Sequence, residues 1–157
     1  MSKVRLLVAS VLFLVPGCMQ QQQEPPFKPV ATVQEIMESL VAHMAEDVFA
    51  SVQTIISEKG VEEIAPKNDE EWQEVQFAAM GLAETGNLLM FESRARDKEE
   101  WIQLSQQLID KSISAAKAAE AKNAEQLFDA GGQLYEVCRN CHMKYVPQDP
   151  PLTKTTP

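Results

Sequence analysis

Between residues 32 and 145 the apolar positions recur every three or four residues, the period of helices that bury one side. Over about 32–58, Ile36, Met37, Leu40, Val41, Met44, Val48, Val52 and Ile55 share a stripe, and Lys59-Gly60 closes the stretch, with Gly in its usual place past a helix end. A second helix is expected over about 69–92. Asp69 is its N-cap, Glu70 and Glu71 suit the positive end of the dipole, and Trp72, Val75, Ala79, Leu82, Gly86 and Leu89 form a bundle seam. The third, about 97–121, starts at Asp97 and carries Trp101, Leu104, Leu108, Ala115 and Ala119 on its inner face. The fourth, about 123–145, starts at Asn123, and Pro147 stops it. No strand-like alternation interrupts them.

Four amphipathic helices on short to medium loops predict an all-α, antiparallel, up-down-up-down four-helix bundle over residues 31–146. Strict alternation sets the last helix antiparallel to the first. The end of the fourth helix then lies beside the start of the first, where Ile36 and Met37 stand.

The ends of the chain read differently. Lys3 and Arg5 precede the apolar run LLVASVLFLV, which is short for a bilayer span, and VPGC follows. Residues 1–17 are expected to be a secretory signal, making the protein exported or periplasmic. The small residues before Cys18 resemble a bacterial lipobox, despite the untypical Pro16, so Cys18 is the expected lipid attachment point and membrane anchor, with ordinary cleavage nearby and Cys18 a bystander as the alternative. Residues 18–30, rich in Gln and Pro, read as a flexible tether, and 147–157 as a disordered tail.

Charge narrows the partners. A net −9 on 157 residues offers no basic stripe for phosphates, which argues against nucleic acid and for a partner with a basic docking face.

The chemistry is concentrated in Cys138-Arg139-Asn140-Cys141-His142. Four readings compete. A thioredoxin-like pair needs CxxC at a helix N-terminus after a strand, and here it falls near a helix C-terminus. A closed zinc site needs four ligands, and beyond these three only the distant His43 remains. A plain disulfide in an exported protein is the structural alternative. Covalent haem uses every residue type present: two thiols add across the vinyl groups and the adjacent His142 binds iron. Positions i, i+3 and i+4 share a helix face, so two tethers and one ligand can meet one macrocycle. Gly131 and Gly132 in mid-helix suggest that something flat approaches the backbone, with close helix packing as the alternative. Tyr135 is a candidate for the pocket wall.

With CRNCH at the end of a fourth helix, the stretch LYEVCRNCHMKY resembles class II c-type cytochromes, over about residues 30–146. The resemblance implies a four-helix bundle carrying one covalent haem c near the end of the last helix, on Cys138 and Cys141, with His142 as the proximal iron ligand. In this family the sixth iron position is either open to small gases or filled by a methionine of the first helix. EIMESLVAHM is similar to the second, low-spin pattern, with Met37 as the distal ligand. Met44, seven residues on, shares its stripe but lies about 10 Å further along the helix, too far for the same iron. His43 is turned away from that stripe. Trp72, Trp101, Arg94, Arg96, Lys117 and Lys144 are candidates for the haem edge or propionates, each with ordinary packing or surface charge as the alternative.

The implied function is single-electron transfer between redox protein partners. The alternative is a five-coordinate gas-binding protein. No nucleophile or catalytic base stands out, so the chain is expected to be a carrier, not an enzyme. The family also implies that a homodimer is open to it.

Overall fold

A computed structural model describes residues 27–146. The expected leader 1–17, Cys18, the first part of the tether and the tail 147–157 lie outside the described residues. Phe27, assigned to the tether, stacks on Phe91 with ring centroids 4.8 Å apart.

The chain is mostly helical, as its periodicity implies. Helix α1 (Val33–Ile36) opens with a capping box: Glu35 N–H donates to Thr32 Oγ1 at 3.2 Å, and Thr32 N–H donates to the Glu35 carboxylate at 2.8 Å. A π-helical turn (Met37–Val41) leads into α2 (Ala42–Ser51). Helix α3 (Asp69–Leu89) is capped by Asn68, one residue before the expected Asp69, and Asn68 Oδ1 accepts from Glu71 N–H at 3.0 Å. Helix α4 (Glu100–Glu120) passes to α5 (Ala124–Tyr145) through a tight turn. There Lys122 takes the left-handed conformation at φ 51°, and the N–H groups of Lys122 and Asn123 donate to Ala119 and Ala118. That is a Schellman-type ending, with Asn123 then capping α5 through Gln126 N–H at 2.9 Å.

The four longer helices pack edge to edge. Helix α3 runs antiparallel to α4: Gly86 lies against Ser105 and Ile109, while Asp69 at its start meets Lys122. Helix α4 runs antiparallel to α5, joined by Lys111–Gln133 at 2.9 Å near the middle and Trp101 against Tyr145 at the end. Met44 of α2 seats on Gly81 of α3, and Phe49 of α2 meets Tyr135 of α5 edge-on at 6.4 Å. Ile36, Val48, Leu82, Leu127 and Leu134 fill the middle and are essentially inaccessible. Leucines and isoleucines so buried each contribute about 1.5–3 kcal/mol.

One expectation is overturned. The first helical stretch ends at Ser51, not near 58. Val52 turns extended (φ −135°, ψ 120°), and β1 (Gln53–Ser57) pairs antiparallel with β2 (Gly60–Ile64). Thr54, Ile55 and Ile56 are β-branched in a row, a sequence that favours extended backbone over helix. Glu58 and Lys59 form a two-residue loop, and Gly60 follows at φ 126°, which side-chain-bearing residues rarely adopt. Gly60 therefore serves a hairpin, not a helix end.

The glycines give a paired test. A Cβ on Gly86 would stand 2.5 Å from Ile109 Cγ1 and 2.9 Å from the Ser105 carbonyl oxygen; one on Gly132 would meet nothing within 4 Å. Gly86→Ala is expected to lose about 1–3 kcal/mol in urea unfolding, and Gly132→Ala to gain about 1 kcal/mol from helix propensity. A destabilised Gly132→Ala would mean that this helix face is covered.

Candidate cofactor cleft

The last turns of α5 bring the chemistry to one end of the molecule. Buried residues on α5 run Leu127, Ala130, Leu134 and Val137, and Cys138 and Cys141 continue along the edge of that face, both half-buried and both free thiols. Burial pushes the Cys138 thiol above the ordinary cysteine range. Cys141 is raised by burial and then by the neighbouring Cys138. A thioredoxin-like pair needs the opposite, a thiol made acidic by its surroundings.

A cleft of about 330 Å³ opens beside Cys141, within the size range of small-ligand sites. Cys141, His142 and Tyr145 form one wall, Met37 and Gln34 the facing wall, and Trp101 and Arg96 the floor and rim. Met37 is half-buried and His142 exposed. Cys138 is one turn earlier on α5 and does not line the cleft. The start of the first helix thus stands against the end of the last, as alternation of the helices implies.

Hydrogen bonds to the segment between α3 and α4 fix the walls. Trp101 is buried and its indole N–H donates to the Leu89 carbonyl at 2.8 Å. Its ring meets Tyr145 edge-on, with centroids 4.9 Å apart. The Tyr145 hydroxyl donates to Asp97 Oδ2, while Asp97 Oδ1 accepts from the Trp101 and Glu99 backbone N–H groups at 3.0 Å each. The Tyr145 hydroxyl and then the Trp101 N–H hold the Asp97 carboxyl below its ordinary range. Burial, followed by the bond to Asp97, pushes Tyr145 up to about 12. Arg94 Nε donates to the Ala31 carbonyl and Nη1 to the Leu88 carbonyl, each at 3.0 Å.

Other candidates fall elsewhere. Arg94 is buried against backbone carbonyls and is neither on the cleft nor solvated; Arg96 is on the rim. Lys144 pairs with Glu100. Trp72 is core near the far end of α3, Lys117 is exposed on α4, and His43 is exposed on α2. The flat group near Gly131 is the Phe49 ring, 3.8 Å from where a Cβ would sit, and Gly132 faces open space. Tyr135 is exposed along that same side. The bond between Asp97 and Tyr145 is a pairing that the sequence alone does not announce. Tyr145 follows Cys141 by four residues, so helical spacing alone could have placed it on the same wall.

Among known proteins, no family model, no curated protein and no solved structure matches this chain. Among the described residues, no three His, Cys, Asp or Glu side chains cluster so as to hold a metal ion, and no helix is long and apolar enough to cross a membrane. The donors on the cleft, an imidazole and a thioether with two thiols on the adjoining helix face, are those a tethered haem could use.

The wall bond carries a pH signature. A carboxyl held below its ordinary value stabilises the fold above the unfolded value, about 3.9, and that contribution is lost as pH falls through the lowered one. Tyr145→Phe should therefore lower the thermal midpoint at neutral pH, and the gap from wild type should narrow as pH falls below about 4. Melts across that range check it; a gap constant with pH would mean the hydroxyl contributes nothing through Asp97.

Proposed function

We propose that the protein is a monohaem c-type cytochrome of the class II kind: a four-helix bundle that carries single electrons between exported redox partners. Cys138 and Cys141 would hold haem c through thioethers, His142 would be the proximal ligand and Met37 the distal one. The observation that carries the reading is the cleft itself, where Met37, Cys141 and His142, from opposite ends of the chain, line one space.

When bound, the haem iron supplies the one-electron chemistry, and a His/Met ligand pair favours a raised reduction potential. The chain's own residues supply position and surroundings. Trp101 and Tyr145 give the cleft an aromatic wall locked by hydrogen bonds, which limits rearrangement when charge changes. Arg96 on the rim offers a cation to acidic groups of the ligand. The acidic surface favours a basic partner, so exchange with one should slow as ionic strength rises. The expected lipid on Cys18 would keep the carrier at a membrane surface.

A pyridine haemochrome assay with intact mass on the chain matured in an exporting host should find one covalent haem per chain. Native protein without it would overturn the proposal. Met37→Ala should turn a low-spin spectrum high-spin and lower the reduction potential, while Met44→Ala, packed against Gly81, should leave the spectrum unchanged. A spectrum indifferent to Met37→Ala would restore the five-coordinate, gas-binding alternative.

A further inference from the structure

The hairpin has no part in the cleft. Every residue of β1 is exposed, and Ile56 and Val61 form a cross-strand apolar pair that is 80% and 66% exposed. Among the described residues the sheet has two strands and therefore two free edges, and a free edge is a template for another strand.

The edges differ. In a hairpin closed by a two-residue loop, the pair flanking the loop is hydrogen-bonded and the pairs then alternate. With Ser57 opposite Gly60, the inward-bonding residues of β1 are Ser57, Ile55 and Gln53. Thr54 and Ile56 therefore turn their N–H and C=O groups outward. An antiparallel copy of β1 centred on Ile55 sets Thr54 against Ile56 of the other chain, twice. Every outward group on both strands then finds a mate, giving four hydrogen bonds about a two-fold axis. The central pair is Ile55 on Ile55, and β1 (QTIIS) carries no charge. The same operation on β2 (GVEEI) centres on Glu62 and stacks carboxylate on carboxylate at the closest spacing, which is destabilising. Charge thus closes the β2 edge to self-pairing and leaves β1 open.

We propose that two copies of this chain associate through their β1 edges into one four-stranded antiparallel sheet, ordered β2-β1-β1-β2. The Ile56–Val61 pairs of both copies then share one face. Two five-residue edges bury little area, so the dimer is weak and concentration-dependent. The contact does not depend on the cofactor.

Sedimentation velocity on the purified full chain, from low micromolar to near-millimolar, reads the outcome. Wild type should shift from monomer to twice the mass. Ile55→Lys adds a charge pair with Glu62 inside the hairpin but sets lysine against lysine at the two-fold axis. Ile56→Pro removes an outward N–H that the hairpin itself does not use. Both variants should stay monomeric throughout while melting as wild type does. A wild type that remains monomeric overturns the proposal. So does a dimer that survives both variants, or one lost only on Phe77→Lys, which would assign the contact to the exposed side of α3.

Discussion

The cleft end of the molecule is organised around Arg94, a buried cation held by backbone carbonyls. Arg94 is 8% exposed and answers to two backbone carbonyls, Ala31 and Leu88, with the Phe91 ring 5.2 Å from its guanidinium carbon. A charge taken from water is tolerable only when its donors are used, so these two bonds are strongly constrained. Leu88 belongs to α3. Ala31 immediately precedes Thr32, the cap of α1. One side chain thereby clamps the start of the chain's folded part to the end of α3. Helix α1 is the first turn of a helical run that continues through the π turn into α2. The clamp holds that first turn, and with it Met37 on the next, against the end of α3.

Helices α3, α4 and α5 were legible in the sequence because local and global signals agree there. Asn123 caps α5 as its type suggests, the seam from Trp72 to Leu89 is buried as its spacing implies, and the ends fall within about three residues of expectation. The first stretch was misread because its last members satisfy two periods at once. Val52 and Ile55 lie three apart and extend a helical stripe, yet Thr54-Ile55-Ile56 is a β-branched run beside a turn that demands a glycine. Val52 is buried in either reading, so burial could not separate them. What decides is the backbone preference of a solvent-exposed run, where packing cannot override propensity.

The chemistry was legible to a different degree on each wall of the cleft. Cys138, Cys141 and His142 are local in sequence, and helix geometry alone aligns them. Met37 is about a hundred residues away and was reached only through topology. The lock between Asp97 and Tyr145 has no such warrant. Asp97 is the cap that the sequence suggests for α4, but the helix is capped two residues later, at Glu99; Asp97 Oδ1 still accepts from the Glu99 and Trp101 N–H groups, and its second oxygen is occupied by a side chain from another helix. Arg94 is harder still: nothing in ESRARDKEE tells a buried arginine from the exposed Arg96 two residues on. Long-range hydrogen bonds to backbone leave no trace in residue pattern.

The two methionines of the first stretch show what periodicity cannot see. Met37 and Met44 are seven residues apart, two turns of an α-helix, and share a stripe by count. In the fold they diverge: the Met44 sulfur seats on Gly81 in the α2–α3 seam, and Met37 lines the cleft beside α5. Between them lies the π-helical turn, with Ala42 N–H reaching back to the Met37 carbonyl. Such a turn takes up one extra residue, about 100° of rotation about the axis. A continuous α-helix would have to choose. With Met37 aimed at the cleft, Met44 would leave Gly81 facing a void; with Met44 on Gly81, Met37 would turn from the cleft. The π turn lets one short segment supply a thioether to each side, and an irregularity of that kind persists where both placements matter.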